Sequence, residues 1–194
     1  MAERQSLREA ILRYSYRENH EEPFVLASGK KSPYYLDLKQ TLLQPTYLWQ
    51  TAALFFELMM GLPKTFKGAG GLTMGADPLA YALSLYAQTK NHTLYPVIVR
   101  KESKAHGTTR MVEAYLPLMG ENAEVLLLDD VVTTGMSSLK ALRELKKVGL
   151  QVHYCFCVVD REEGGRENLK EEGVELYSLF TLSQIRRDLE VPLP

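Results

Sequence analysis

The chain has 194 residues, a formal net charge of −1, 24% charged residues and 45% hydrophobic residues. This length suits one domain with a single sizeable core. The small net charge and the lack of a Lys/Arg block argue against binding to nucleic acid or to an anionic membrane, and we expect neither partner. The apolar stretches are too short to span a bilayer and the first residues are charged, so we expect a cytoplasmic protein without a secretion signal.

The N-terminal part of the chain differs in pattern from the rest. Apolar residues at helical spacing from Leu7 to Tyr14 predict an amphipathic helix over about Ser6–Arg17. The segment FVLASGKKSPYYLDL then predicts two short strands around a Ser-Gly-Lys-Lys-Ser-Pro turn. We predict that residues 1 to about 45 form a hood on a single domain of residues 1–194.

Helical and strand patterns alternate from about residue 46 to residue 194. The predicted elements are a helix that ends at Gly61, a glycine-rich loop GGLTMGADP, a helix PLAYALSLYAQ, a strand YPVIVR, a strand EVLLLDD, a helix striped by Leu139, Leu142, Leu145 and Val148, and strands VHYCFCVVD and VELYSLF. Apolar strands separated by helices predict an α/β core, with a central, mainly parallel sheet flanked by helices on both faces. The polar segment near 101–112 is predicted to be a mobile loop.

The two cysteines, Cys155 and Cys157, alternate along one predicted strand. Neighbours on one face of a strand do not easily form a disulfide, and two cysteines make no disulfide framework. We interpret them as small buried hydrophobic residues rather than as a metal or redox pair.

The stretch EVLLLDDVVTTGMSS joins a predicted strand to a predicted helix through two acids and a run of small hydroxyl residues. Ligands of an open α/β sheet bind beyond the carboxyl ends of its strands, where Asp129 and Asp130 are expected to lie. Gly135 lets the backbone approach a ligand closely, and the N–H groups at the start of the next helix favour an anion. The pattern therefore suits a phosphorylated sugar. The alternative is that the acids merely end the strand and a hydroxyl caps the helix.

The same stretch resembles the phosphoribosyl diphosphate motif of the type I phosphoribosyltransferases. The resemblance implies the type I phosphoribosyltransferase fold, with the two acids on the ribose hydroxyls and the following loop on the 5′-phosphate. The implied binding residues for phosphoribosyl diphosphate are Asp129, Asp130, Val131, Val132, Thr133, Thr134, Gly135, Met136 and Ser137. Met136 stands where many members of the family have glycine or threonine.

The segment VRKESKAHGTTR contains five potential cations within eleven residues. A solvated surface loop is one interpretation, and a lid that closes over a highly charged anion is the other. RKESKAHG resembles the catalytic loop of orotate phosphoribosyltransferases, with Arg100, Lys101, Lys104 and His106 in the matching places. In those enzymes the loop enters the active site of the dimer partner and clamps the diphosphate. The resemblance therefore implies a homodimer with shared active sites.

Two further segments resemble the orotate side of the same enzymes. FVLASGKKSPYYLDL places Tyr34 and Tyr35 at the paired aromatic positions, and VVDREEGGRENL places Arg161 at the arginine that meets the orotate carboxylate. Thr133 completes the orotate-binding set that the resemblance implies. A guanidinium can hold a carboxylate through two parallel hydrogen bonds, although an arginine after a strand is more often a surface residue.

The resemblance covers nearly the whole chain and implies transfer of a phosphoribosyl group from phosphoribosyl diphosphate to orotate, in pyrimidine biosynthesis. Mg²⁺ is expected to arrive with the substrate, because the sequence has no His/Cys/Asp cluster with the spacing of metal ligands. Ala27 and Gly75 depart from the family, since several members carry lysine at those places. The alternatives are a transferase for a purine or uracil, and a regulator that binds phosphoribosyl diphosphate without catalysis.

Overall fold

The computed structural model describes residues 2–25, 31–102 and 111–187 of the chain. Its helices are α1 (Ala2–Ala10), α2 (Lys39–Leu42), α3 (Pro45–Met60), α4 (Ala76–Thr89), α5 (Leu116–Met119), α6 (Met136–Lys147), α7 (Gly165–Glu171) and α8 (Leu182–Arg186). Its strands are β1 (Tyr16–Glu18), β2 (Phe24–Val25), β3 (Lys31–Ser32), β4 (Tyr34–Leu36), β5 (Gly68–Leu72), β6 (Tyr95–Val99), β7 (Val112–Glu113), β8 (Val125–Val132), β9 (Tyr154–Asp160) and β10 (Glu175–Thr181). None of the helices in these ranges has the length and apolar character needed to cross a membrane.

The main sheet of the described residues has the strand order β10-β9-β8-β5-β6-β7. Its strands are parallel, except that β7 runs antiparallel to β6 at the edge. From β5 the chain moves through α4 to β6 on one side, whereas from β8 it moves through α6 to β9 on the other side. The crevice between the carboxyl ends of β5 and β8 is therefore the topological switch point, where α/β sheets bind their ligands.

Both faces of the sheet are buried, as the apolar strand patterns predict. On β8, Leu126 and Leu128 pack in one cluster with residues of α3 and α4, and Val125 and Leu127 pack in another with residues of α6. Cys155 and Cys157 are buried in the second cluster and remain free thiols, and burial raises the pKa of each. The interpretation of both cysteines as buried hydrophobic residues is confirmed.

The predicted glycine-rich loop is wrong in its first half, because Gly68–Leu72 is strand β5. A Cβ atom on Gly70 would overlap the carbonyl oxygen of Val97, and one on Gly71 would overlap that of Leu128. Glycine is needed there because β5 lies very close to the neighbouring backbones, which a strand pattern based on side chains does not reveal.

The N-terminal elements also differ from the prediction. The helix is α1, which begins earlier at Ala2 and passes at Ile11–Ser15 into a π-helical turn, and β1 follows where the predicted helix ends. The predicted hairpin is divided between two small sheets, since β2 pairs with β3 but β4 pairs with β1. Pro33 separates β3 from β4 and has no N–H for a ladder. The turn residues 26–30 lie outside the described residues.

Candidate active site

A cavity of about 280 Å³ lies at the topological switch point. Its lining residues are Lys39, Leu72, Thr73, Met74, Gly75, Lys101, Asp129, Asp130 and Ser137. We call it the switch-point cavity. A larger hollow of about 540 Å³, lined by parts of the segments 116–122 and 148–150, offers Glu121 as its single charged side chain among the described residues. The switch-point cavity is lined by two carboxylates and two lysines, so it is the better candidate for an active site.

The paired acids lie inside β8, which continues past them to Val132 instead of ending with them as predicted. Asp129 is buried, with 7% of its surface exposed, and its Oδ2 accepts a hydrogen bond of 2.7 Å from the hydroxyl of Ser138 on α6. Its Oδ1 accepts the Asp130 N–H at 3.0 Å, and Asp130 Oδ1 in turn accepts the Val131 N–H at 2.9 Å. These bonds fix both carboxylates at the edge of the cavity.

Gly75 lies directly against the paired acids. A Cβ atom there would be 2.5 Å from Asp130 Oδ1 and 3.4 Å from Asp129 Oδ1. The backbone of Gly75 has ordinary helical dihedrals, φ −59° and ψ −43°, so glycine is needed there for space and not for conformation. No side chain, lysine included, fits at this position while Asp130 keeps its place.

The segment after β8 forms a loop that ends at the start of α6. Gly135 has φ 77°, a left-handed conformation that other residues rarely adopt, and a Cβ atom there would be 3.2 Å from the Gly165 carbonyl oxygen. The carbonyl of Thr134 accepts a hydrogen bond of 2.9 Å from the Asn168 side chain, which ties the loop to α7. The first N–H groups of α6 have no partners within the helix, and Ser137 lines the cavity. This arrangement can bind a phosphate group.

Two lysines complete the cavity. Lys101 lies just after β6, and its carbonyl oxygen accepts a hydrogen bond of 2.7 Å from Lys140 of α6. Lys39, at the start of α2, forms an ion pair of 2.7 Å with Asp37. The pKa of Lys39 is raised, first by its hydrogen bond to Asp37 and further by the charge of Asp130. Lys39 could not be predicted from the sequence, because nothing in YYLDLK shows that α2 faces a cavity built by distant strands.

Comparison with known proteins identifies the family. The family model described as "Phosphoribosyl transferase domain" matches residues 70–175. The orotate phosphoribosyltransferase of Aquifex aeolicus (strain VF5) is 44% identical over 187 residues, which are 95% of this chain and 98% of that protein. The chain belongs to the orotate phosphoribosyltransferase family. The prediction of the family from the sequence is confirmed.

Solved structures of the Mycobacterium tuberculosis H37Rv orotate phosphoribosyltransferase share the fold. Its complex with Fe(III) dicitrate gives a TM-score of 0.78 at 32% identity and covers 94% of this chain and 98% of that chain. Its complex with 5-phospho-alpha-D-ribosyl 1-diphosphate gives a TM-score of 0.75 at 28% identity and the same coverage. The predicted fold class is confirmed.

The segment that the sequence predicts to be a mobile catalytic loop lies mainly outside the described residues, which break off after residue 102 and resume at residue 111. Lys104 and His106 are therefore not placed, and their roles stay predictions. Arg100 is placed at the end of β6, where its guanidinium lies 3.5 Å from the Glu113 carboxylate. Of the predicted catalytic residues in the described ranges, Lys101 lines the switch-point cavity and Arg100 does not.

The predicted orotate-binding residues do not line the switch-point cavity. Tyr34 stacks on the Arg186 guanidinium, which is 4.1 Å from its ring centre, whereas the Tyr35 ring lies 5.5 Å from that of Phe24. Arg161 follows β9 and donates its backbone N–H to the carbonyl of Val132, the residue before Thr133, at 2.9 Å. The backbones of Thr133 and Arg161 are therefore close in space. The assignment of these four residues to orotate stays a prediction.

Burial raises the pKa of Asp129 from 3.8 to about 7, and the charge of Asp130 adds to the effect. The folded protein therefore binds a proton that the unfolded chain has released, and the free energy of unfolding falls as the pH rises from about 4 to about 7. We expect Asp129→Asn to be more stable than the parent at pH 8, by at most about 4 kcal/mol, and equally stable near pH 4. Asparagine can keep both hydrogen bonds, since Ser138 can accept as well as donate.

Urea unfolding at both pH values measures this difference. Glu121→Gln, at an exposed position just after α5, serves as the control for general loss of negative charge. A parent protein that is as stable as Asp129→Asn at pH 8 would contradict the raised pKa.

Proposed function

We propose that this chain carries out the reaction of its family, in which orotate displaces diphosphate from phosphoribosyl diphosphate to give orotidine 5′-monophosphate. The observation that carries the proposal is the switch-point cavity, where two carboxylates, an anion-binding loop and two lysines meet. Carboxylates suit the ribose hydroxyls, the loop suits the 5′-phosphate and the lysines suit the diphosphate. One cavity thus supplies a partner for each part of this substrate.

We assign the ribose hydroxyls to Asp129 and Asp130 and the 5′-phosphate to the loop Thr133–Ser137. The hydrogen bonds from Ser138, the Asp130 N–H and the Val131 N–H hold the two carboxylates in place before the substrate arrives. A site arranged in advance loses little energy to reorganisation when the transition state forms. The segment 72–75 also lines the cavity and would face the diphosphate through its backbone.

The reaction breaks the bond between the sugar C1 and the diphosphate, so negative charge accumulates on the leaving group. Preorganised cations next to that group lower the barrier, and they act most strongly where water is excluded. Lys39 and Lys101 are the cations that the described residues place at the cavity. We propose that Arg100, Lys104 and His106 join them when the loop closes.

The residues at the cavity also fit Mg²⁺. This cation commonly takes one or two carboxylates together with substrate oxygens, and Asp129 and Asp130 would supply the carboxylates. Within the described ranges, no group of three His, Cys, Asp or Glu side chains could hold a metal ion, so the substrate would provide the other ligands. When bound, the ion would offset negative charge on the departing diphosphate.

We further propose a homodimer in which the loop of one chain closes over the cavity of the other. Its support is a set of exposed apolar side chains on α3 and α4, among them Trp49, Tyr81 and Leu85, with exposures of 48%, 54% and 67%. Met74 lines the cavity, is 67% exposed and lies just before the start of α4. A second copy of the chain on this surface would cover apolar area and lie beside the cavity.

The two free thiols suit our proposal of a cytoplasmic location.

The direct test is the loss of orotate absorbance in the presence of phosphoribosyl diphosphate and Mg²⁺, with uracil and hypoxanthine as alternative acceptors. We expect consumption of orotate and little reaction of the other two bases. Transfer to uracil or hypoxanthine without transfer to orotate would overturn the acceptor assignment. Binding of phosphoribosyl diphosphate without any transfer would indicate a regulator instead.

We expect Arg161→Met to raise the KM for orotate roughly 10- to 100-fold, because a hydrogen-bonded charge pair to the orotate carboxylate is lost. Methionine keeps most of the buried volume, and the KM for phosphoribosyl diphosphate should change little. Initial rates at varied orotate measure the effect, and Arg143→Met, on the exposed face of α6, is the control. An orotate KM equal to that of the parent would show that Arg161 does not bind the carboxylate.

A further inference from the structure

The guanidinium of Arg161 already has a carboxylate partner in the protein. Its Nη2 lies 2.8 Å from Oε1 of Glu163, and 9% of the Arg161 side chain is exposed. Its Nε is buried and has no hydrogen-bond partner in the described part of the chain. Buried N–H groups are nearly always satisfied, so an unsatisfied one beside a charged group points to a missing acceptor.

The turn that carries Arg161 is fixed on both sides. Asp160 is buried, accepts the Glu162 N–H at 2.9 Å and pairs with Arg166 at 3.1 Å. The Glu162 carboxylate accepts the backbone N–H of Ser183 at 2.9 Å and also its hydroxyl, which ties the turn to the start of α8. The backbone at Arg161 is therefore held in position independently of Glu163.

Glu163 is held much more loosely than its neighbours. Its side chain is 41% exposed, and Arg161 is the one partner that the described residues give it. A carboxylate that enters beside Arg161 and takes both the free Nε–H and an Nη2–H would form the two parallel bonds that guanidinium groups favour. Glu163 makes a single contact there and can turn into solvent.

We propose that Glu163 is an internal competitor for the site of the substrate carboxylate, holding the Arg161 charge neutralised until orotate displaces it. The inference rests on the proposed function and adds Glu163, as a residue that determines specificity, to the part of the site that binds orotate. The reaction brings a triply charged leaving group and a 5′-phosphate close to the base site, and an unpaired arginine there would attract either one. Glu163 disfavours such anions, because its displaced carboxylate stays nearby and repels a multiply charged phosphate more strongly than the single negative charge of a carboxylate.

An interaction that must be broken before binding lowers affinity, so removing the Glu163 charge should strengthen orotate binding. We expect Glu163→Gln to lower the KM for orotate roughly two- to fivefold, the range for loss of a partly exposed ion pair. The change in kcat should be smaller than the change in KM. The orotate-induced rise in the thermal midpoint should also be larger in the variant, a readout that does not depend on turnover.

The control for loss of one negative charge is Glu167→Gln, at an exposed position in the first turn of α7. Orotate KM in this control should equal that of the parent. The effect of Glu163→Gln must also disappear in an Arg161→Met background, because the competitor acts only through Arg161. Inorganic phosphate should inhibit competitively against orotate more strongly in Glu163→Gln than in the parent.

An unchanged or raised orotate KM in Glu163→Gln, with orotate consumed by the parent, would overturn the competitor role and leave the proposed function intact. A KM decrease that persists in the Arg161→Met background would also overturn it. A parent protein that neither consumes orotate nor gains thermal stability from it would overturn the proposed function and this inference together.

Discussion

Gly75→Ala is expected to lower kcat/KM for phosphoribosyl diphosphate by roughly 10²-fold, because misplacing a reacting or binding group by about 1 Å has effects of that size. The added methyl group would lie 2.5 Å from Asp130 Oδ1 and 3.0 Å from its Cγ, so the carboxylate must move. Asp130 is half-buried at the rim of the cavity and can move without breaking the core. The fold should therefore persist while the ribose site is lost. Steady-state rates and the thermal midpoint separate these two effects.

Gly61→Ala is the matched control for that substitution. Gly61 also has helical dihedrals, φ −80° and ψ −9°, and a Cβ atom there would meet its nearest neighbour at 3.4 Å, an ordinary contact. Activity of this variant should equal that of the parent. Parent-like kinetics in Gly75→Ala would show that the carboxylate of Asp130 does not need its observed position.

Lys104→Ala is expected to lower turnover by roughly 10²–10³-fold, the usual effect of removing one preorganised donor to a developing negative charge. The KM for orotate should change far less, since the loop is assigned to the diphosphate and not to the base. Lys104 lies outside the described residues, so the expectation comes from the loop motif. Lys146→Ala, on α6, is the control for loss of one positive charge. Turnover equal to that of the parent would refute the assignment.

The sharing of active sites in the proposed homodimer can be tested by mixing two inactive variants. Chains with Lys104→Ala keep an intact cavity, and chains with Asp130→Asn keep an intact loop. If the loop acts on the partner's cavity, a mixed dimer contains one complete site, and activity should appear after the chains exchange. A mixture that stays inactive while the chains are shown to exchange would place the loop in its own cavity.

Much of the core could be predicted from the sequence because burial leaves a periodic pattern. Residues 125–128 of β8 and 155–159 of β9 are apolar at every position, since both faces of the sheet are covered, and the leucines of α6 recur at helical spacing. Strand β5 could not be predicted in this way. Its glycines are required by the backbones of Val97 and Leu128, which are neighbours only in the folded chain.

In the candidate site, too, some residues could be predicted from the sequence and others could not. Asp129, Asp130 and Ser137 could be predicted because they belong to one continuous motif, and the structure places all of them at the cavity. Lys39 reaches the cavity from a separate short helix, and Glu163 matters through its contact with a neighbouring arginine. Both depend on distances between side chains, which no local sequence pattern contains.

The most direct measurement is a crystal structure of the protein grown with phosphoribosyl diphosphate and Mg²⁺. Our proposal predicts ribose hydroxyls bonded to the carboxylates of Asp129 and Asp130, with the 5′-phosphate on the backbone N–H groups of Thr133–Ser137. Density for the ligand at any other surface, with the switch-point cavity holding only water, would contradict it.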